Sequence, residues 1–150
     1  MVHQEYANTR FLLFLGAICI YALYRGGGPE RWVACIVIAM VVLDPAVHMF
    51  TPLEYATLDP GHLVIDLAGW LGLLAVALRA NRFWPLWVVS LQTIALVAHA
   101  TRMLDVTIHP KAYMIMQIAS SYPLLALLLL GTICHQKRLK AIGIDRSWRN

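Results

Sequence analysis

Five times along its length the chain runs apolar for about 17 to 23 residues before charge, proline or glycine interrupts it, the length that a bilayer core of about 30 Å requires of a helix rising about 1.5 Å per residue. The runs cover about 8–24, 32–50, 62–79, 83–103 and 112–134. The interruptions are Arg25 to Arg31 with three glycines and Pro29, Thr51 to Gly61 with Pro52 and Pro60, Ala80-Asn81-Arg82, and Asp105 to Lys111 with Pro110. With 60% hydrophobic and 13% charged residues, the composition excludes an ordinary soluble domain, where charged residues make up about 25%. The expected fold is an all-α integral membrane protein, a five-transmembrane-helix bundle over 1–136 followed by a basic tail over 137–150. Only 14 residues separate Arg10 from Arg25, so the first run spans only if both arginines snorkel toward the interfaces. Glu5 offsets the early positive charge and no small-residue cleavage site follows that run, which argues against a secretory signal.

Charge sets the orientation. With five spans, nine of the twelve Lys and Arg fall on the side of the C-terminus, and Arg10, Arg102 and Lys111 on the other. The positive-inside rule then puts the N-terminus outside, in the periplasm, and the tail in the cytoplasm, which makes the chain a multi-pass protein of the cytoplasmic (inner) membrane. Trp32, Trp84, Trp87, Tyr21 and Tyr24 lie toward the inner ends of their runs and Tyr6, Tyr55 and Tyr113 toward the outer ends, as interfacial belts do. The tail holds Lys137, Arg138, Lys140, Arg146 and Arg149, a juxtamembrane group suited to anionic membrane lipid; without an aromatic-interleaved basic patch, nucleic acid is not an expected partner. Cys19, Cys35 and Cys134 form no CxxC and read as small buried hydrophobes.

Against this apolar background the polar residues inside the runs carry the information. Counted inward from the outer end of each span, Asp44 lies about six residues deep, Asp66 about five, His99 about four and Gln117 about five, which agree to within about 3 Å. Asp44 and His48 are i,i+4, as are His62 and Asp66, so each pair shares a helix face. On the fourth run Gln92 and His99 are seven apart, with Arg102 beyond and Asp105 at its end; on the fifth, Gln117, Ser120 and Ser121 lead to Pro123, an expected kink. Ionisable groups within spans are costly, so they face the bundle, pair with one another and mark ligand or proton routes.

Asp44, His48, His62, Asp66 and His99 are therefore the ligand or metal candidates, with Gln92, Arg102, Asp105, Gln117 and Ser121 as polar support. Imidazole and carboxylate suit a metal ion, and His48 with His99 suits the axial positions of haem b. Each residue also has a plainer explanation. Asp44-Pro45 is a turn signal that would end or kink the second span, and His62 and Asp66 fit an N-terminal cap and a first helical turn. Arg102 with Asp105 fits an interfacial ion pair, and a hydrogen bond to Asp66 is reason enough for His99; His3 and His135 are assigned no role.

The sequence holds no HExxH, GxSxG, Walker loop or CxxCH, and no catalytic residue is identified, so the reading leans away from an enzyme. Gly69, Gly72 and Ala75 on the third run, and Ala95, Ala98 and Ala100 on the fourth, give smooth faces for close helix packing. The leading expectation is an accessory or structural subunit of a larger membrane complex, or a homo-oligomer, in which the Asp/His layer fixes helix register. The alternative is a membrane binding module that holds a metal ion, haem b or small ligand in the outer half of the bilayer.

Overall fold

The computed structural model describes residues 2–48, 60–104 and 120–149, which form five α-helices and no strands. They are α1 (Val2–Arg25), α2 (Gly28–His48), α3 (Pro60–Arg79), α4 (Trp84–Leu104) and α5 (Ser121–Ile142). Proline marks the heads of four: Pro29, Pro60, Pro85 and Pro123 all fall in a first turn, where the missing N–H has no helical partner to lose. Pro123 lies in the first turn of α5, and the stretch before Ser120, on which the expected kink depends, lies outside the described residues. Pro45 lies inside α2, so the Asp44-Pro45 pair does not end that helix, which continues to His48. At the far end of α5, Gly143 adopts φ 79° and its N–H returns to the Leu139 carbonyl at 2.9 Å, a left-handed cap that favours glycine. This helix runs eight residues beyond the expected boundary at 134, into the segment read as a tail.

Neighbours in sequence pack side by side, α1 on α2, α2 on α3 and α3 on α4; α5 then closes the ring against α4 and α1 and reaches across to α2. The core between them is apolar, with Leu15, Ile18, Cys19, Val33, Val37, Leu73, Val88, Leu125 and Leu128 buried. Small residues set the helix spacing: a Cβ on Gly69 would run into the Met40 side chain, one on Gly72 would stand 3.2 Å from Ile36, and one on Gly131 would stand 2.7 Å from the Trp84 indole. The Trp70 indole N–H donates to Thr93 Oγ1 at 2.9 Å between α3 and α4, and the buried Thr132 hydroxyl donates to the Leu128 carbonyl at 2.8 Å. Cys19 is buried as expected, whereas Cys35 and Cys134 are exposed on the outside of the bundle; all three are free thiols.

Among the described residues two helices, over Gly61–Arg79 and Trp84–Thr101, are long and apolar enough to cross a membrane. Only 28% and 39% of those stretches is buried within the protein, less than a soluble core helix would hide.

Residues 143–149 do not trail away from the bundle. They fold back across the end where α1, α3 and α5 finish and α2 and α4 begin. Asn81 N–H donates to the Ser147 carbonyl at 3.0 Å, Arg149 N–H donates to the Arg79 carbonyl at 2.9 Å, and Ala80 and Trp148 form an isolated antiparallel bridge. The Trp148 indole lies against Gly28 so closely that a Cβ there would overlap it. Four of the tail cations remain exposed, Lys137, Lys140, Arg146 and Arg149.

Candidate functional site

At the opposite end of the bundle, α2, α3 and α4 each direct a polar residue of the sequence-predicted layer inward. Asp66 lies in the second turn of α3, beyond the first turn where it would serve the helix dipole, and it turns sideways toward α4. Its Oδ1 accepts a hydrogen bond from Gln92 Nε2 at 2.9 Å, and its Oδ2 stands 3.0 Å from His99 Nε2. Gln92 and His99, seven residues apart on one stripe of α4, thus grip one carboxylate on both oxygens. His99 is fully buried and Gln92 nearly so, while the carboxylate between them stays 18% exposed.

His62 and Asp44 form a second pair, Nδ1 to Oδ1 at 2.7 Å, which joins the start of α3 to the last turns of α2. The i,i+4 spacing of His62 and Asp66 places both on one face of α3, but each reaches to a different neighbour, His62 to α2 and Asp66 to α4. The carboxylate of Asp44 is the most open of the four groups, 39% exposed against 22% for His62 and 18% for Asp66.

Between the pairs is a cavity of about 510 Å³. Asp44, His62, Asp66, Gln92, Ser120 and Ser121 give it polar edges, and Phe11, Met40, Ile65 and Ala95 give it apolar walls. A smaller pocket below, between Leu15, Val37, Leu124 and Leu125, shares Gln92 and Ser121 with it and ends in the apolar core. Of the sequence-predicted residues, Asp44, His62, Asp66, Gln92 and Ser121 border this cavity, and His99 joins it through Asp66. The side chains of His48 and Arg102, and Asp105 and Gln117 entirely, lie outside the described residues. Among the described residues no three His, Cys, Asp or Glu side chains gather as a metal-ligand set. His99 Nε2, one of the proposed axial donors, is directed at Asp66. The α1 wall, Phe11 and Leu12, had no signal in the sequence, because which helix closes the ring is a property of packing and not of periodicity.

A second polar cluster, at the tail end, was not anticipated. His135 Nδ1 stands 2.6 Å from Asp145 Oδ2; Arg138 Nε donates to both oxygens of that carboxylate at 3.2 and 3.3 Å, and Arg82 donates to Oδ1. His135, given no role from sequence, is thus buried and paired. Burial pushes the Asp145 carboxyl up, but hydrogen bonds from Arg82 and His135 and the charges of Arg138 and Arg82 outweigh it and hold the group below its ordinary value. Glu30, in the first turn of α2, is almost wholly buried beside this cluster, and its Oε1 has no hydrogen-bond partner among the described residues. Val33, Val37, Val88, Leu125 and Leu128 separate the two polar ends with an apolar layer.

Comparison with protein-family models, curated proteins and solved structures gives no match.

Proposed function

We propose that the protein is a multi-pass protein of the cytoplasmic membrane, its helices crossing with the N-terminus outside and the tail inside, and that it binds a small ligand in the cavity between the two Asp/His pairs. Large apolar side chains exposed around the bundle, among them Leu13, Val64, Leu71, Leu78, Ile94, Val97 and Leu130, support the membrane setting, since water would penalise so extensive an apolar surface. Exposed Tyr24, Trp32, Phe83 and Trp87 gather toward the tail end, as an interfacial belt does.

The observation that carries the binding reading is the cavity itself: about 510 Å³, apolar in its walls, with a few convergent polar groups at its edge, the form that small-molecule sites take. Both oxygens of Asp66 are engaged, so Asp66 shapes the site; the more open Asp44 is the group that meets the ligand. The ligand class that fits is a small amphiphile with a cationic or hydrogen-bond-donating head for Asp44 and an apolar body for Phe11, Met40 and Ile65. The accessory-subunit reading has its own support in the His99–Asp66–Gln92 unit, which binds α3 to α4 whether or not the cavity is filled.

Native mass spectrometry of the protein gently extracted from its own membrane separates the two. A small-molecule mass in fixed stoichiometry, lost in Asp44→Asn while the helical content persists, is the expected result. A bare chain released from a defined larger assembly, indifferent to Asp44→Asn, would favour the accessory subunit.

A further inference from the structure

Near the tail end, on the outer surface between α2 and α3, lies a groove of about 660 Å³. Its floor is Gly72 and Ala75, one turn apart on α3, where the lack of large side chains leaves room between Ile36 and Val76. At its mouth stand Arg79 and Arg149, flanked by Trp32 and Trp148. The second arginine is there because of the tail: the Arg149 N–H bond to the Arg79 carbonyl and the Ala80–Trp148 bridge carry a residue 70 positions away in sequence to the side of Arg79. Neither guanidinium is paired with a carboxylate among the described residues, whereas Arg82 and Arg138 of the same end are both held by Asp145.

We propose that this groove is a binding site for one anionic phospholipid, its acyl chain lying over Gly72 and Ala75 and its phosphate on Arg79 and Arg149. The inference rests on the membrane reading above and on charge complementarity: an apolar channel ends in two adjacent unpaired cations, bordered by the aromatic residues that favour the headgroup region. Basic pockets between helices on the cytoplasmic side take anionic headgroups in this way, and a guanidinium pair meets phosphate oxygens with matched geometry.

The test is native mass spectrometry of the full chain in detergent, titrated separately with phosphatidylglycerol and phosphatidylcholine. One phosphatidylglycerol should bind at least about tenfold tighter than phosphatidylcholine, as the charge contribution of two arginines implies. Arg79→Gln with Arg149→Gln should remove that preference. Arg31→Gln with Lys140→Gln, which removes the same charge from exposed positions at the same end, should leave it intact. Ala75→Leu, which fills the groove without changing charge, should weaken phosphatidylglycerol binding while circular dichroism stays as in the unmodified protein. Equal binding of the two lipids, an equal loss in the Arg31/Lys140 control, or displacement of the lipid by inorganic phosphate alone would overturn the proposal. Release of the chain from native membranes by carbonate washing would defeat the membrane reading itself; loss of headgroup preference in a carbonate-resistant chain defeats only the lipid site.

Discussion

Asp66 is held on one oxygen by Gln92 and on the other by His99, so removing it takes one hydrogen bond from each of two buried side chains. An interhelical hydrogen bond in a membrane protein contributes about 0.6 kcal/mol on average, whereas a buried polar group left without a partner costs about 1–3 kcal/mol. Asp66→Ala should therefore lower unfolding stability in detergent by about 1–3 kcal/mol. His99→Gln, whose amide can still donate to the carboxylate, should cost about 1 kcal/mol or less. Equal losses in the two variants would mean that the imidazole contributes through its shape and not through its hydrogen bond. The sequence displayed this site well, because an Asp, His or Gln within an apolar run stands out against its neighbours and a helix has a fixed rise. It showed depth and offered the His99–Asp66 hydrogen bond, which the structure has, but not that His62 reaches Asp44 or that Gln92 takes the other oxygen of Asp66. Helical spacing determines which residues share a face, and only packing determines what that face meets.

At the scale of the element, the contrast between two glycines is testable. A Cβ at Gly131 would press on the rigid indole of Trp84 at 2.7 Å, and a Cβ at Gly69 would press on the flexible thioether of Met40. Gly131→Ala should destabilise by about 1–3 kcal/mol, as overpacking against an unyielding neighbour does, and Gly69→Ala by less than about 1 kcal/mol, both read from thermal unfolding in detergent. Reversal of that order would show that the indole moves more freely than the thioether. Two helix starts were apparent from proline, since Pro29 and Pro60 fall in breaks of the apolar pattern, whereas Pro85 lies inside the fourth run. Helix ends were less so. The apolar run of α5 stops near Cys134, but its helix continues through Lys137, Arg138 and Lys140, residues with good helix propensity that need no apolar environment to extend it. Hydropathy reports where a helix meets oil, and its hydrogen bonds continue until Gly143 turns the chain.

On the scale of the whole molecule, the tail closes one end of the bundle through Asp145. In the folded protein this carboxyl lies below its ordinary value of 3.8, so the unfolded state binds its proton more readily. The stabilisation is accordingly complete above about pH 5 and fades as the pH falls through the lower folded value. Amide hydrogen exchange at Ser147 and Arg149 should be slow at neutral pH and accelerate, relative to the bundle core, under acid; Asp145→Ala should show the fast pattern at neutral pH as well. Protection unchanged in Asp145→Ala would assign the closure to the Trp148 contact alone. Net positive charge in residues 137–150 had suggested a surface anchor, and nothing in that composition distinguished the cations bound inward by Asp145 from those left outside. The same closure has a consequence for the order of events in biosynthesis. Gly28 and Ser147, joined by a hydrogen bond, are 119 residues apart, so the inner end of α2 emerges from the ribosome long before the segment that covers it. Until residues 143–149 have been made and folded back, Gly28 lacks the Ser147 and Trp148 contacts that it has in the finished bundle.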